Sequence, residues 1–525
     1  MTSSTTPRTA PPLKPQDTTR KKSGGTAALA IASAILLGAL VWGGRLIDLR
    51  EQTPSIGPVA PHLPAPTPNA FPYFVAAGKS GYEAWPMFGT QAPVWSPEPP
   101  RPPGQTGSYY DSPPPGYAPR PVVRPAILYG SLSTSFSLVD IAPPTWPVPS
   151  NVNNPIVKKA ASQLVQVNEP EIALVRAGLR YQYCCPRYCP PTRAYMYLSL
   201  GGNGTPAYLR NYEGLARILA FRSEYFAENS SSPIVNRRRP VPSESGVRGP
   251  NTTEWLRSAL DAVELGQVVC RGGRFLDALY GHTCASIGRV PLWRHLDMMT
   301  DGDCRQGIRR LETIEVERVP LTATLREERA CVLIGLKKAF SDWRYYSANN
   351  DPDERDHPDL IRMAYARAIT PPKTTVLAHC TAHLDALIDA AGKPFGTPAA
   401  KSETDPYTDQ VVWKPTIIVS DAIAQAGNQL LLTALALRAY RLEHGKYPST
   451  LSTLVPGYLK VAPHDPLTVD AILKYRPTRN GYLLYSVGPD GKDDGGVPID
   501  TNSDNSPNRV MLESKNDMVA GVNNG

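Results

Sequence analysis

Hydrophobic and polar positions divide the chain into four stretches. Residues 24–44 form an uncharged run, GGTAALAIASAILLGALVWGG. From 45 to 153 no regular period holds. From 154 to 395 apolar residues recur every three or four positions, the period of helices that bury one face. Beyond residue 420 one long helical stripe gives way to a short strand-like alternation.

Within the third stretch, Asn168-Glu169-Pro170-Glu171 reads as a helix start: a capping residue, an early proline and acids in the first turn. Ile172, Val175 and Leu179 then share a face. Thr205-Pro206 opens another helix, with Leu209, Tyr212, Leu215 and Leu219 as its stripe. Helical patterns return at 252–270, 288–299 and 307–311, and again at 325–343, where Leu333, Leu336 and Phe340 recur. These predict an all-α domain of seven to nine helices. In the fourth stretch the spacing predicts a helix over 421–444, with Ile423, Leu430, Leu431, Ala434, Leu435 and Leu437 on a broad apolar face. Gly445 is placed to stop it and Pro448 to prevent its resumption. Leu451 and Leu454 suggest one helical turn. Tyr475 and residues 482–485 read as strands joined through Asn480-Gly481, a pair suited to a tight hairpin turn.

Composition alters this picture mainly in the second stretch. The chain has 56 prolines, and 24 of them fall within residues 51–150, which excludes regular helix or central strand there. Only residues 69–78, opened by Asn69, read as a short capped helix. The remainder is a spacer of polyproline character, containing Pro97-Glu98-Pro99-Pro100-Arg101-Pro102-Pro103. The net charge is +8. Much of the excess sits in the N-terminal tail and at Arg237, Arg238 and Arg239, without interleaved aromatics, so specific nucleic-acid reading is not expected.

The 24–44 run is long enough for roughly 30 Å of hydrocarbon as a helix. It is also longer than the apolar core of a cleaved signal peptide. Arg8, Lys14, Arg20, Lys21 and Lys22 precede it, so the positive-inside rule leaves the short tail in the cytoplasm and the bulk of the chain outside. The expected setting is a bacterial inner membrane, with the bilayer contacted through residues 24–44.

Candidate chemistry is sparse. Eight cysteines in an exported domain are expected to pair at least in part, with connectivity open. His379 and His383 stand one helical turn apart, a metal-ligand spacing, although no third ligand is evident. No P-loop, G-x-S-x-G or dinucleotide fingerprint occurs.

The helix ending in Gly445-Lys446-Tyr447-Pro448, the spacing to Leu451 and Leu454, Asp465-Pro466, and Tyr485-Ser486-x-Gly488-x-Asp490-Gly491 together resemble the C-terminal part of the major pseudopilin of bacterial type II secretion. That resemblance implies a small α+β module with a calcium-binding acidic loop. The matching positions are Asp490, Asp493 and Asp494, with Ser486 adjacent and Asp500 in a following D-x-N-x-D spacing. Asn168-Glu169-Pro170-Glu171 and Leu215-Ala216-Arg217 also resemble segments of large anchored bacterial envelope proteins. Two departures matter: the anchor lacks a prepilin-type cleavage site, and nearly 400 residues separate it from the pseudopilin-like helix.

The expected organisation is therefore mainly α: a cytoplasmic tail (1–23), a transmembrane helix (24–44), a proline-rich spacer (45–153), an all-α ectodomain (154–395), a linker (396–419), a pseudopilin-like α+β module (420–512) and a C-terminal tail (513–525). The expected role is a non-enzymatic scaffold or interaction protein of the cell envelope, whose protein partners the sequence does not identify. The alternative is an extracytoplasmic metal-dependent enzyme centred on His379 and His383.

Overall fold

A computed structural model describes residues 23–50, 69–83, 155–185, 207–230, 250–341, 373–395, 416–469, 471–479, 481–499, 510 and 514–523. Its described part is mainly helical. The elements are α1 (Ser23–Arg50), α2 (Phe71–Glu83), α3 (Pro155–Val167), α4 (Glu169–Gly178), α5 (Ala207–Ser230), α6 (Pro250–Cys270), α7 (Phe275–Arg294), α8 (Asp301–Val316), α9 (Leu321–Ser341), α10 (Lys373–Ala391) and α11 (Thr416–His444). They are followed by strands β1 (Lys474–Pro477), β2 (Tyr482–Ser486) and β3 (Met518–Val519).

The chain divides into two compact units, 1–54 with 339–374 and 55–338 with 375–525. In the first unit, α1 covers the whole uncharged run as one helix of 28 residues. Its described side chains are those of residues 29–40, 42 and 43. Leu29, Ile31, Ile35, Leu36, Leu37, Leu40 and Trp42 are all exposed; at 100° per residue they fall on two broad sides of the helix, and the arcs between them carry alanines and Gly38 rather than charged residues. Among the described residues no helix is long and apolar enough to cross a membrane. The unbroken stretch of described side chains, 29–40, is only about 18 Å long, short of roughly 30 Å of hydrocarbon.

The second unit holds two hydrophobic clusters. One joins α2, α4, α5, α6 and one face of α7 around Phe74, Ile172, Leu209, Tyr212, Leu219 and Leu265. Asn69 caps α2 as its side-chain type predicts, accepting the Phe71 amide at 3.0 Å. Asn168 does not cap α4: its amide donates back to the Leu164 carbonyl at 2.9 Å, because α3 runs almost directly into α4. α6 and α7 approach closely where Gly266 faces Gly281, since a Cβ on either would strike the other's backbone carbonyl. The pattern at 307–311 is part of a longer helix, whereas that at 288–299 spans the end of α7 and a separate 3-10 turn at Leu296–Met298. α7 starts at Phe275, where the Arg274 backbone amide donates to the Asp277 carboxylate at 2.9 Å, and α8 starts behind the Thr300–Asp303 capping box.

The second cluster joins α6, α7, α8, α11 and the strands. Leu430, Leu431, Leu432, Ala434, Leu435, Ala436 and Leu437 are all buried. A continuous buried run needs partners on more than one side. α7 and α8 cover one flank of α11, with Ile308 and Leu311 in contact with the shared core, and Leu473, Leu484 and Met518 of the sheet region cover the other. The bundle and the C-terminal module thus share one core, where the sequence suggests a linker and a separate module. Residues 396–415 of that linker lie outside the described residues.

β1 and β2 pair antiparallel, with Lys474 opposite Tyr485 and Pro477 opposite Tyr482. The connecting turn is closed by the Thr478 amide donating to the Gly481 carbonyl at 2.9 Å. β3 adds a third antiparallel strand beside β2. The sequence reading ends the module at 512, but Met518 and Val519 are buried in this strand. A strand of two residues is too short for alternation to reveal.

None of the seven described cysteines forms a disulfide, and all are buried, which corrects the expectation of disulfides for those residues; Cys189 lies outside the described residues. The Cys270 thiol donates to the Gly266 carbonyl at 3.3 Å, and burial pushes the Cys185 thiol up to about 12.

Candidate functional site

The acidic loop follows β2 and is shaped by its glycines. Gly491, Gly495 and Gly496 adopt positive φ, a region that side-chain-bearing residues rarely enter. Asp490 accepts the Lys492 amide at 3.2 Å. Asp493 accepts the Tyr485 hydroxyl and the Gly495 amide, each at 3.0 Å, and faces the Lys474 ammonium at 3.2 Å. The Gly495 amide bond, with further help from Lys474 and Tyr485, holds the Asp493 carboxyl below the usual range. The Asp494 amide donates to Asp517 at 3.3 Å and the Gly496 amide donates to it at 2.7 Å.

Asp517 is the residue that sequence reasoning missed. It is fully buried behind the loop, and its backbone links the loop to β3: the Ile499 amide donates to its carbonyl and its own amide donates to Val497. Burial raises its carboxyl above the usual range, and the charges of Asp493 and Asp494 add to the rise, against the two loop amides that favour the anion. The available signal was an aspartate directly ahead of the apolar pair Met518-Val519.

The predicted calcium residues have different surroundings. Asp490, Asp493 and Asp494 share the loop. Ser486 faces the core instead, donating to Asp465 at 2.6 Å. Asp465 also accepts the Leu467 and Val487 amides, each at 3.0 Å, and so ties the 465–467 turn to the end of β2. Asp500 lies outside the described residues. His379 and His383 lie on α10, half-buried and one turn apart, beside the buried Cys380. Among the described residues no three His, Cys, Asp or Glu side chains are grouped so as to hold a metal ion.

A second polar constellation lies where α7, α8 and α11 meet. Arg289, buried, donates to the Asn428 carbonyl oxygen at 2.8 Å, and the Asn428 amide donates to Glu315 at 2.6 Å. Gly427 makes room for this guanidinium, because a Cβ there would lie 2.9 Å from it. Burial lowers Arg289 to about 10 and raises Glu315. At the start of α11, His282 Nε2 lies 3.2 Å from Asp421 Oδ1 and His282 Nδ1 lies 3.4 Å from Ser420 Oγ. Arg318 and Gln425 hold the other Asp421 oxygen at 3.4 and 2.7 Å. Burial alone would raise the Asp421 carboxyl, but His282, Arg318 and Gln425 together bring it below the usual range. Perturbed titrations of this kind gather at working sites as well as in structural networks.

In comparisons with known proteins, the chain matches no family model, no curated protein and no solved structure.

Proposed function

We propose that the chain is a membrane-anchored envelope protein of a bacterium. In this reading residues 24–44 sit in the bilayer, the bulk of the chain is extracytoplasmic, and a pseudopilin-like C-terminal module binds calcium. Its role is to scaffold or recruit other envelope proteins, in the neighbourhood of a secretion machine.

The observation that carries the calcium reading is Asp517 behind the acidic loop. Asp490, Asp493 and Asp494 bring three carboxylates within five residues, and a fourth is buried behind them with its titration pushed upward. Such a group favours a proton or a cation. Calcium is the cation of choice, because it takes six to eight oxygens in a flexible shell. Asp490, Asp493, Asp494 and Asp517 are not grouped as a ligand set here, so the loop would have to close for them to supply the carboxylates, and loop carbonyls would supply further oxygens.

The test is thermal melting of the full-length protein in calcium and in chelator. A ligand that binds only the folded state adds RT ln(1 + [L]/Kd), about 2.7 kcal/mol at ~100-fold excess over Kd. For a chain of this size that corresponds to a rise of several degrees. Magnesium should do less, since it demands a tighter octahedral shell. Because calcium must displace any proton on Asp517, the stabilisation should weaken as pH falls. Asp490→Asn with Asp493→Asn, or Asp517→Asn alone, should abolish it. Identical melting of the wild type in calcium and in chelator would overturn the calcium reading.

A further inference from the structure

The His282 cluster is built in an order that a simple tie between helices does not require. Asp421 is held ionised by its partners, so it accepts from His282 Nε2 and fixes the proton on that nitrogen. The Nδ1 lone pair is then left facing Ser420 Oγ at 3.4 Å. Nucleophile, base and orienting acid are thus in sequence, with Ser420 and Asp421 supplied by the start of α11 and His282 by α7. Such arrangements are recognised by geometry and roles, not by chain order. The Ser–His distance is longer than a tight hydrogen bond, as is common before substrate binds. Ser420, His282 and Asp421 are all partly exposed, so a small molecule can reach them. Arg318, 28 % exposed and 3.4 Å from the same carboxylate, helps keep Asp421 ionised and in place behind His282.

We propose that Ser420 is a nucleophile toward carboxylic esters, with His282 as its general base and Asp421 as the residue that orients His282. Ser420 Oγ adds to the ester carbonyl carbon while Nδ1 takes the hydroxyl proton. The carbon–oxygen bond to the leaving alcohol then breaks, and that proton passes to the departing oxygen. Water, deprotonated by the same nitrogen, hydrolyses the acyl-serine, so ester and water yield acid and alcohol. An ester suits this half-open site better than an amide, because its alcohol leaves more readily than an amine. The proposal stands apart from the scaffold and calcium readings, and neither depends on the other.

The experiment treats the full-length folded protein with a fluorophosphonate probe and maps the modified peptide, in parallel with hydrolysis of p-nitrophenyl acetate. The expected result is one label per chain on Ser420, absent in Ser420→Ala and in heat-unfolded protein, and reduced at least tenfold in His282→Gln. Should His282→Gln fail to fold, Asp421→Asn carries the same comparison. It keeps the imidazole but frees its tautomer, and labelling should again fall at least tenfold with KM for the ester little changed. Absence of label on Ser420 in folded wild type overturns the proposal. Labelling that survives unchanged in the folded His282 or Asp421 variant also overturns it.

Discussion

Single residues in this fold separate by whether their charge is answered. Glu224 is answered on both oxygens, by Arg294 at 2.7 Å and by His295 Nε2 at 2.6 Å. Glu228, one turn further along α5, is not in that position. Partial burial raises its carboxyl first and the neighbouring Glu224 charge raises it further, with His295 and Arg294 only partly offsetting them. A raised folded-state value means that Glu228 favours folding below its ordinary value of 4.5 and that this contribution is lost as pH rises through the folded value. Near pH 7, Glu228→Gln should therefore be slightly more stable than wild type, by on the order of a degree or two in Tm after allowing for solvent screening. The gap should close as pH approaches 4. Melting curves of both proteins from pH 4 to 8 check this, and a variant less stable at every pH would refute the assignment. Glu224→Gln should act in the opposite direction, because it leaves Arg294 and His295 without their counter-charge.

At the scale of elements, α11 decides how the second unit is assembled. Its apolar run was legible in the sequence, as were its end at Gly445, which adopts a left-handed conformation, and the β1–β2 hairpin. The number of partners was not legible, since a broad apolar stripe looks the same whether one neighbour or two cover it. Leu435 faces Gly307 of α8, where a Cβ would come within 3.1 Å of its methyl group. Leu435→Ala should cost about 2–5 kcal/mol, as for other fully buried leucines, and denaturant unfolding of the full-length protein measures it. A second consequence follows for a fragment of residues 405–525. Without α7 and α8 it would present one flank of α11 to water, so it should bind a hydrophobic dye and associate at micromolar concentration. A monodisperse, dye-silent fragment would show that the module stands by itself.

The same distinction explains what else the sequence hid. Helices announce themselves through a period of 3.6, which any sufficiently long stripe displays. The polar junction draws His282, Glu315 and Asp421 from three helices, and only packing brings them together. Asp517 sits in a stretch whose strand is two residues long, and thus carried no period at all. Cysteine number suggested pairing from compartment, but pairing needs Cα atoms within about 7 Å and suitably aimed Cβ vectors. None of the described cysteines is joined in a disulfide in this fold. Ser486, adjacent in sequence to the acidic loop, points the other way because successive strand residues alternate faces.

For the molecule as a whole, the open matter is what covers α1. Seven large apolar side chains are exposed on it, alanines and Gly38 fill the arcs between them, and a helix without a charged face is stable only where something other than water surrounds it. A globular partner would normally cover one stripe and leave a polar face elsewhere; the described part of α1 has no such face. Lipid satisfies every side at once, and the uncharged run continues from residue 24 to residue 44. The full-length protein should therefore remain with membranes through a carbonate wash at high pH, which releases proteins held by charge alone. Removal of residues 1–50 should release it to the soluble fraction with the melting temperature of the second unit unchanged, because α2 to α8, α11 and the strands belong to a unit that does not include α1. External protease should reach the bulk of the chain in spheroplasts while the tail before residue 24 stays protected. Full-length protein washed off by carbonate would remove the bilayer from this account and require a protein surface able to enclose α1 on every side.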